Sequence, residues 1–229
     1  MLYQILAKDK DCKILRQLVR KMAQALDSIQ NSNFVHSDIK PDNILVKLDK
    51  DHSKIEELKV IDFGSSFKFD DRMEVTATTP EYLPPEVIYY LEQIGKTPSA
   101  QPQAAVELRT ASRGWSLDVW SLGVILLEII TGYPVWMAVK CKLMTATNKP
   151  KVGQGIFAVK DREPLRIIAA QKKFMKDLQP SLKKLDHYSL CKHPELMDLT
   201  KKMLALDPKA RLSPKEILDH PFCSAEKCV

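Results

Sequence analysis

The chain has 229 residues, of which 45% are hydrophobic and 28% charged, with a formal net charge of +6. That is long enough for one large domain or two small ones, and the composition is globular rather than disordered or fibrous. The lysines are spread along the chain, which reads as a solvated surface and argues against a nucleic-acid-binding patch.

The five cysteines (Cys12, Cys141, Cys191, Cys223 and Cys228) are odd in number and lack CxxC spacing. They read as reduced thiols of an intracellular protein, cytoplasmic and/or nuclear, without a metal set. Met1–Ala7 is too short an apolar run for a signal peptide. The most apolar stretch, Leu122–Ile130, is interrupted by Glu128 and falls short of a membrane span, so no membrane partner is expected.

Apolar residues at Ile14, Leu15, Leu18, Val19, Met22, Leu26 and Ile29 form a helical stripe that the polar cluster Asn31–Asn33 ends. Two β-rich runs follow, Ile44–Val46 and Leu58–Ile61, joined by a charged hairpin connection. Residues 62–86 lack a period and hold two proline turns, long enough for a functional loop. Residues about 93–115 read as a polar insertion with a mobile centre. Asp118 then opens a helix apolar nearly all round, which belongs in the middle of a core and is stopped at Thr131–Pro134. The remainder reads as helices joined by basic loops. The last helix begins with the capping box Ser213-Pro214-Lys215-Glu216.

The informative segment is His36-Ser37-Asp38-Ile39-Lys40-Pro41-Asp42-Asn43, placed just before a β-run. A carboxylate to orient a hydroxyl, an ammonium to face a phosphate and an oxygen ligand for Mg²⁺ are the inventory of phosphoryl transfer. A second carboxylate stands in Asp62-Phe63-Gly64, directly after the other β-run. His36-x-Asp38-x-Lys40-Pro41-x-Asn43 resembles the catalytic loop of protein kinases, and Asp62-Phe63-Gly64 resembles their DFG motif. Thr79–Glu86 resembles the substrate-docking segment that ends in A-P-E, with Pro84 for the Ala. Asp118-Val119-Trp120-Ser121-Leu122-Gly123 is similar to the start of the family's buried central helix.

The resemblance covers nearly the whole chain. It implies a mainly α fold with a small β-hairpin region, a helical bundle around one buried central helix, as in the C-terminal lobe of a Ser/Thr protein kinase. Asp38 would accept or orient the proton of a Ser or Thr hydroxyl on a protein substrate, and Lys40 would neutralise the transferring phosphoryl group. Asn43 and Asp62 would hold Mg²⁺, and Leu45 would floor the adenine of ATP. His36 and Phe63 would stack in the core behind the site, and Asp118 would brace the catalytic-loop backbone. Thr79 would mark substrate docking, and Arg211 would pair with Glu86.

Two departures set further expectations. Ser37 stands where most kinases carry an Arg that binds a loop phosphate, so phosphorylation at Ser65, Ser66, Thr76 or Thr78 is not expected to order the loop through position 37. No Gly-rich loop precedes Leu2, so the chain reads as the larger lobe alone. Such a lobe would transfer little phosphate by itself and would leave an inter-lobe face for a partner to cover. The alternative reading is a stand-alone kinase-like lobe acting as a binding or scaffold module.

Overall fold

A computed structural model describes residues 5–6, 9–69, 79–96, 99, 101–132, 135, 140–144, 150–154, 164–186 and 190–224. Thr76, Thr78, Tyr133, Pro134 and most of Met1–Ala7 lie outside them.

Helix α1 (Lys13–Asn31) buries Ile14, Leu15, Leu18, Val19, Met22 and Leu26, the stripe read from the sequence. Its start is fixed by Asp9, whose carboxylate accepts from the amides of Lys13, Ile14 and Leu15 and so satisfies three donors that have no partner within the helix. The short strand β1 (Phe34–Val35) leads into the loop that carries Asp38, and β2 (Ile44–Leu48) pairs antiparallel with β3 (Ile55–Val60). The tip of this hairpin is tied by Asp49, which accepts from Ser53 N (2.7 Å), Ser53 Oγ (2.8 Å) and Lys54 N (3.0 Å). Strand β4 (Phe67–Lys68) returns to pair with β1, Val35 opposite Phe67.

Next come α2 (Pro85–Lys96), α3 (Gln101–Ala111) and α4 (Gly114–Thr131). α4 is the centre of the molecule: residues 116–127 along it are all buried, and Gly132, at φ 80°, closes it by donating to Glu128 O at 2.7 Å. By length and composition α4 could cross a membrane, yet 83% of it is buried inside the fold, which makes it a core helix. It starts at Gly114, one turn before Asp118, so the carboxylate sits inside the first turns rather than at the cap.

Two readings from the sequence are corrected here. The stretch about 93–115 is largely helical: Gln93–Lys96 continue α2, and α3 buries Ala104, Ala105 and Leu108. Alanine, glutamine, glutamate, leucine and arginine are strong helix formers, and Pro102 falls in the first turn, where its missing N–H costs nothing. After α4, the chain forms a third two-stranded antiparallel sheet, β5 (Lys140–Met144) against β6 (Pro150–Gln154), where helices joined by loops were expected.

The chain then runs through α5 (Pro164–Lys176), α6 (Leu178–Leu185), α7 (Pro194–Met203), α8 (Pro214–Asp219) and α9 (Pro221–Ser224). The capping box opens α8, with Ser213 N donating to Glu216 Oε2 (2.7 Å) and Glu216 N to Ser213 Oγ (3.2 Å). The buried thiols Cys12 and Cys223 are pushed up to about 11 by burial, so they stay protonated and unreactive at neutral pH.

Gly123 is where α4 meets the end of α7. A Cβ there would lie 2.9 Å from both Cγ and Cδ2 of Leu204 and 3.2 Å from Met203 Cβ. Gly123→Ala should therefore lower the melting temperature by a few degrees. Overpacking costs about 1–3 kcal/mol, against roughly 1 kcal/mol gained in helix propensity. In a Leu204→Ala background Gly123→Ala should cost less than in the wild type, and a melting temperature that rises in the single variant would contradict the contact.

Acid should also weaken the fold. Glu216 is held below the usual carboxylate range by the Ser213 amide and hydroxyl, and Asp198 by the Lys202 ammonium and then His220. A depressed carboxyl stabilises above its unfolded value, about 4 for these groups, and that contribution is lost as pH falls through the folded value. Melting temperatures should hold between pH 6 and pH 8, on the scale of carboxylate titration, and fall below about pH 4. Glu216→Gln should make the acid limb shallower.

Candidate active site

Asp38 lies in the loop between β1 and β2, and three polar side chains converge on it. Lys40 Nζ lies 2.6 Å from Asp38 Oδ2, Thr79 Oγ1 donates to Asp38 Oδ1 at 3.1 Å, and Lys40 Nζ donates to Thr79 Oγ1 at 3.0 Å. Asn43 Nδ2 donates to the Asp38 carbonyl (2.8 Å) and to Oδ2 (3.1 Å). Thr79 comes from 41 residues away in sequence, so only the tertiary fold brings its hydroxyl onto this carboxylate. The Asp38 and Lys40 side chains retain 10% and 22% exposure, which leaves the ion pair half-shielded yet reachable.

His36, fully buried, ties this loop to the second carboxylate-bearing segment. Its Nδ1 accepts from Asp38 N (3.3 Å), and its Nε2 lies 3.0 Å from the Ile61 carbonyl. Both contacts are met together by the neutral ring protonated on Nε2. The antiparallel register puts Ile44 opposite Val60, and Ile61 N donates to Asn43 O at 3.0 Å. Asn43 and Asp62 thus sit at the same end of one hairpin. Asp62 is exposed and left-handed (φ 64°), with Gly64 N approaching its Oδ1 at 3.4 Å.

Asp118 reaches out of α4 to hold the loop backbone. Its Oδ2 accepts from His36 N (2.8 Å) and its Oδ1 from Ser37 N (2.9 Å). Ser37 is left-handed at φ 69°, a conformation that costs a non-glycine residue on the order of 1–3 kcal/mol unless its surroundings impose it. Burial pushes the Asp118 carboxyl up, and the two amides oppose that shift.

On the far side, Arg211 and Glu86 meet in a fork, Nη1–Oε1 at 2.6 Å and Nη2–Oε2 at 2.8 Å. The same guanidinium donates to the carbonyls of Ala205 and Ser116 and lies over the Trp120 ring, 4.7 Å from its centroid. Every face of this buried cation is used. Residues 79–86 are thereby fastened to α4 and to the loop before α8.

Phe63 sits differently from the sequence reading. Phe63 meets His36 edge to face at 4.8 Å between centroids, but it is 51% exposed rather than enclosed in the core. It borders an open groove of about 520 Å³ shared with Ile29 and Phe34. Leu45 is 52% exposed on the outer face of β2, because strand alternation turns Ile44 and Val46 inward instead.

Four further contacts were not anticipated. Tyr82 Oη donates to Glu128 Oε2 (2.7 Å), Ser121 Oγ to Tyr82 O (2.9 Å), Gln171 Nε2 to Leu83 O (2.8 Å), and Ser66 Oγ to His36 O (3.3 Å). Glu128 carried a signal, as the lone charge in the apolar run Leu122–Ile130. A half-buried carboxylate among apolar neighbours is well served by a partner.

Asp118→Asn keeps the shape but offers one acceptor where two amides converge. It should cost about 1–3 kcal/mol, read as a lower melting temperature together with faster amide exchange at His36 and Ser37. Unchanged protection at both amides would show that other contacts hold the loop.

A family model described as "Protein kinase domain" matches residues 4–223. Among curated proteins, the chain is 27% identical to a dual specificity tyrosine-phosphorylation-regulated kinase 2 of Drosophila melanogaster over 96% of its own length and 29% of that protein. It is 29% identical to the serine/threonine-protein kinase GD17699 of Drosophila simulans over 90% of the chain and 21% of that protein. It is 27% identical to the dual specificity protein kinase CLK4 of Mus musculus over 91% of the chain and 44% of that protein. The chain therefore spans less than half the length of each of these relatives. In fold it resembles the autoinhibited serine kinase domain of the giant muscle protein titin, with a TM-score of 0.56 at 18% identity, over 97% of this chain and 55% of that one. A family match across nearly the whole chain places it in the protein kinase family.

Proposed function

We propose that these residues form the larger, C-terminal lobe of a Ser/Thr protein kinase domain and move the γ-phosphate of ATP to Ser or Thr hydroxyls of a protein substrate, in an intracellular compartment. The observation that supports this best is the gathering of Lys40 Nζ and Thr79 Oγ1 on the Asp38 carboxylate. Asp38 Oδ1 already accepts a hydroxyl hydrogen bond, so the carboxylate is oriented to take one from an incoming Ser or Thr. Acceptance of that proton typically contributes ~10²–10⁴-fold. Lys40, 2.6 Å from the same carboxylate, keeps a positive charge where an anionic phosphoryl group would arrive. Thr79 links the docking segment to both, so a bound peptide and the reacting groups share one frame.

The donor set suits ATP and Mg²⁺. Asn43 and Asp62 offer hard oxygen ligands at one end of the β2–β3 hairpin, and among the described residues no group of three or more His, Cys, Asp or Glu forms an all-protein metal cage. Mg²⁺ characteristically takes one or two protein oxygens and completes its shell with phosphates and water. Bound there, it would neutralise charge across the nucleotide phosphates. Leu45, exposed on the same hairpin, is the proposed apolar floor for adenine.

The apolar residues left at the surface, Phe34, Leu45, Ile61 and Phe63, support a partner or further lobe over this face. They also support the second reading, a binding module without catalysis. One comparison separates the two. In the protein that carries these residues, Asp38→Asn should lower kcat for phosphate transfer from ATP by ~10²–10⁴-fold with little change in nucleotide affinity. Asp62→Asn should remove the Mg²⁺ dependence of nucleotide binding. A wild-type protein with no transfer, whose partner binding survives both substitutions, would favour the module.

A further inference from the structure

A second apolar cluster lies beside the main core, with Leu117 of α4 and Ile168 of α5 among its members, and it collects residues next to the segments that carry Asp38, Asp62 and Thr79. Val35 immediately precedes His36, Phe67 follows the Asp62 segment, and Leu83 lies four residues beyond Thr79. Val87 and Ile88 of α2 join them, and α3 closes the cluster with Ala104, Ala105 and Leu108. Each of these segments is also tied locally. Phe69 N donates to Asn33 O at 3.2 Å, Ser66 Oγ to His36 O at 3.3 Å, and Gln171 Nε2 to Leu83 O at 2.8 Å. At the junction of α3 and α4 the Phe69 ring rests on Gly114, where a Cβ would lie 3.4 Å from its Cγ.

We infer that α3 is a positioning element: through Leu108 and its two alanines it clamps the stretches before and after residues 70–78 against the catalytic-loop strand. Burying one leucine side chain contributes more than a typical net hydrogen bond, so the polar ties above are the weaker part of the fastening. Ser37 offers no guanidinium with which to grip a phosphate, whereas the α3 face acts without modification and without titrating. The packing thus holds Val35, Phe67 and Leu83 constitutively. Its catalytic consequence rests on the proposed role of Asp38, but the clamp itself is visible in backbone protection, which needs no phosphoryl transfer.

Amide hydrogen exchange on the full 229-residue chain tests it. Leu108→Ala should raise exchange at Phe69, Val87 and Ile88 by about tenfold or more while Ile125–Ile130 of α4 keep their rates. Leu108→Met should restore protection to within about threefold. Val106→Ala, at a position 47% exposed on the same helix, should change none of these amides. Should Leu108→Ala fail to fold, Leu108→Val carries the same expectation at about threefold. Faster exchange confined to α3, or equal acceleration throughout α4, would overturn the inference. If the protein that carries these residues, with a second lobe over this face, transfers no phosphate while the exchange pattern of this chain is as expected, the catalytic reading fails and the clamp stands.

Discussion

A single carboxylate deep in the apolar centre holds the reactive loop in shape. Asp118 projects from the most hydrophobic helix of the molecule and accepts the two consecutive amides of His36 and Ser37. Burying a charge there is costly unless it is met by donors, and here both donors come from the backbone of the loop it must position. The same pair of bonds imposes the left-handed turn at Ser37. That turn lets His36 point inward, toward Asp38 N and the Ile61 carbonyl, while Asp38 faces outward. The loop, the hairpin end and the central helix are thus joined by one buried polar network, whose members depend on one another.

Residues 79–86 are attached on the same plan. They run through a short 3₁₀ turn (Pro80–Tyr82) into the start of α2, and they are held by side chains from α4, α5 and the loop before α8. Glu128 and Ser121 of α4 take the hydroxyl and carbonyl of Tyr82, Gln171 of α5 takes the carbonyl of Leu83, and Arg211 takes Glu86. Arg211 is the charged, buried member of these anchors. Its guanidinium bonds a carboxylate in a fork, two carbonyls and an aromatic face, so removing any one partner would leave a buried charge poorly met. Irregular backbone near reactive groups is common, and what makes it precise is support of this kind from behind.

One side of the molecule is finished differently. Around Phe34, Leu45, Ile61 and Phe63 the apolar surface stays open, and the edge-to-face contact of Phe63 with His36 is reached from solvent. The strand alternation of β2 explains Leu45, and the short 3₁₀ turn Phe63–Ser65 explains Phe63, since neither has an element packed above it among the described residues.

Much of this was legible in the residues themselves. The stripe of α1, the all-round apolar character of α4 and the Ser213–Glu216 capping box are local patterns, and periodicity or capping chemistry reveals them without knowledge of what they pack against. The motif residues from His36 to Asn43 and at Asp62 were visible as types at set spacing. Other features were not. The α3 stretch looked like a polar loop because its buried face is two alanines and one leucine, too weak a stripe until a second apolar cluster gives it a partner. Tyr82 and Gln171 act across dozens of residues, and Thr79 reaches Asp38 over a separation of 41. By itself the sequence determined which chemical groups are present and those helices that carry a strong apolar stripe or a capping box, such as α1, α4 and α8. Only the tertiary structure decided which groups meet, because a hydrogen bond or an ion pair exists only when the fold brings its partners within about 3 Å.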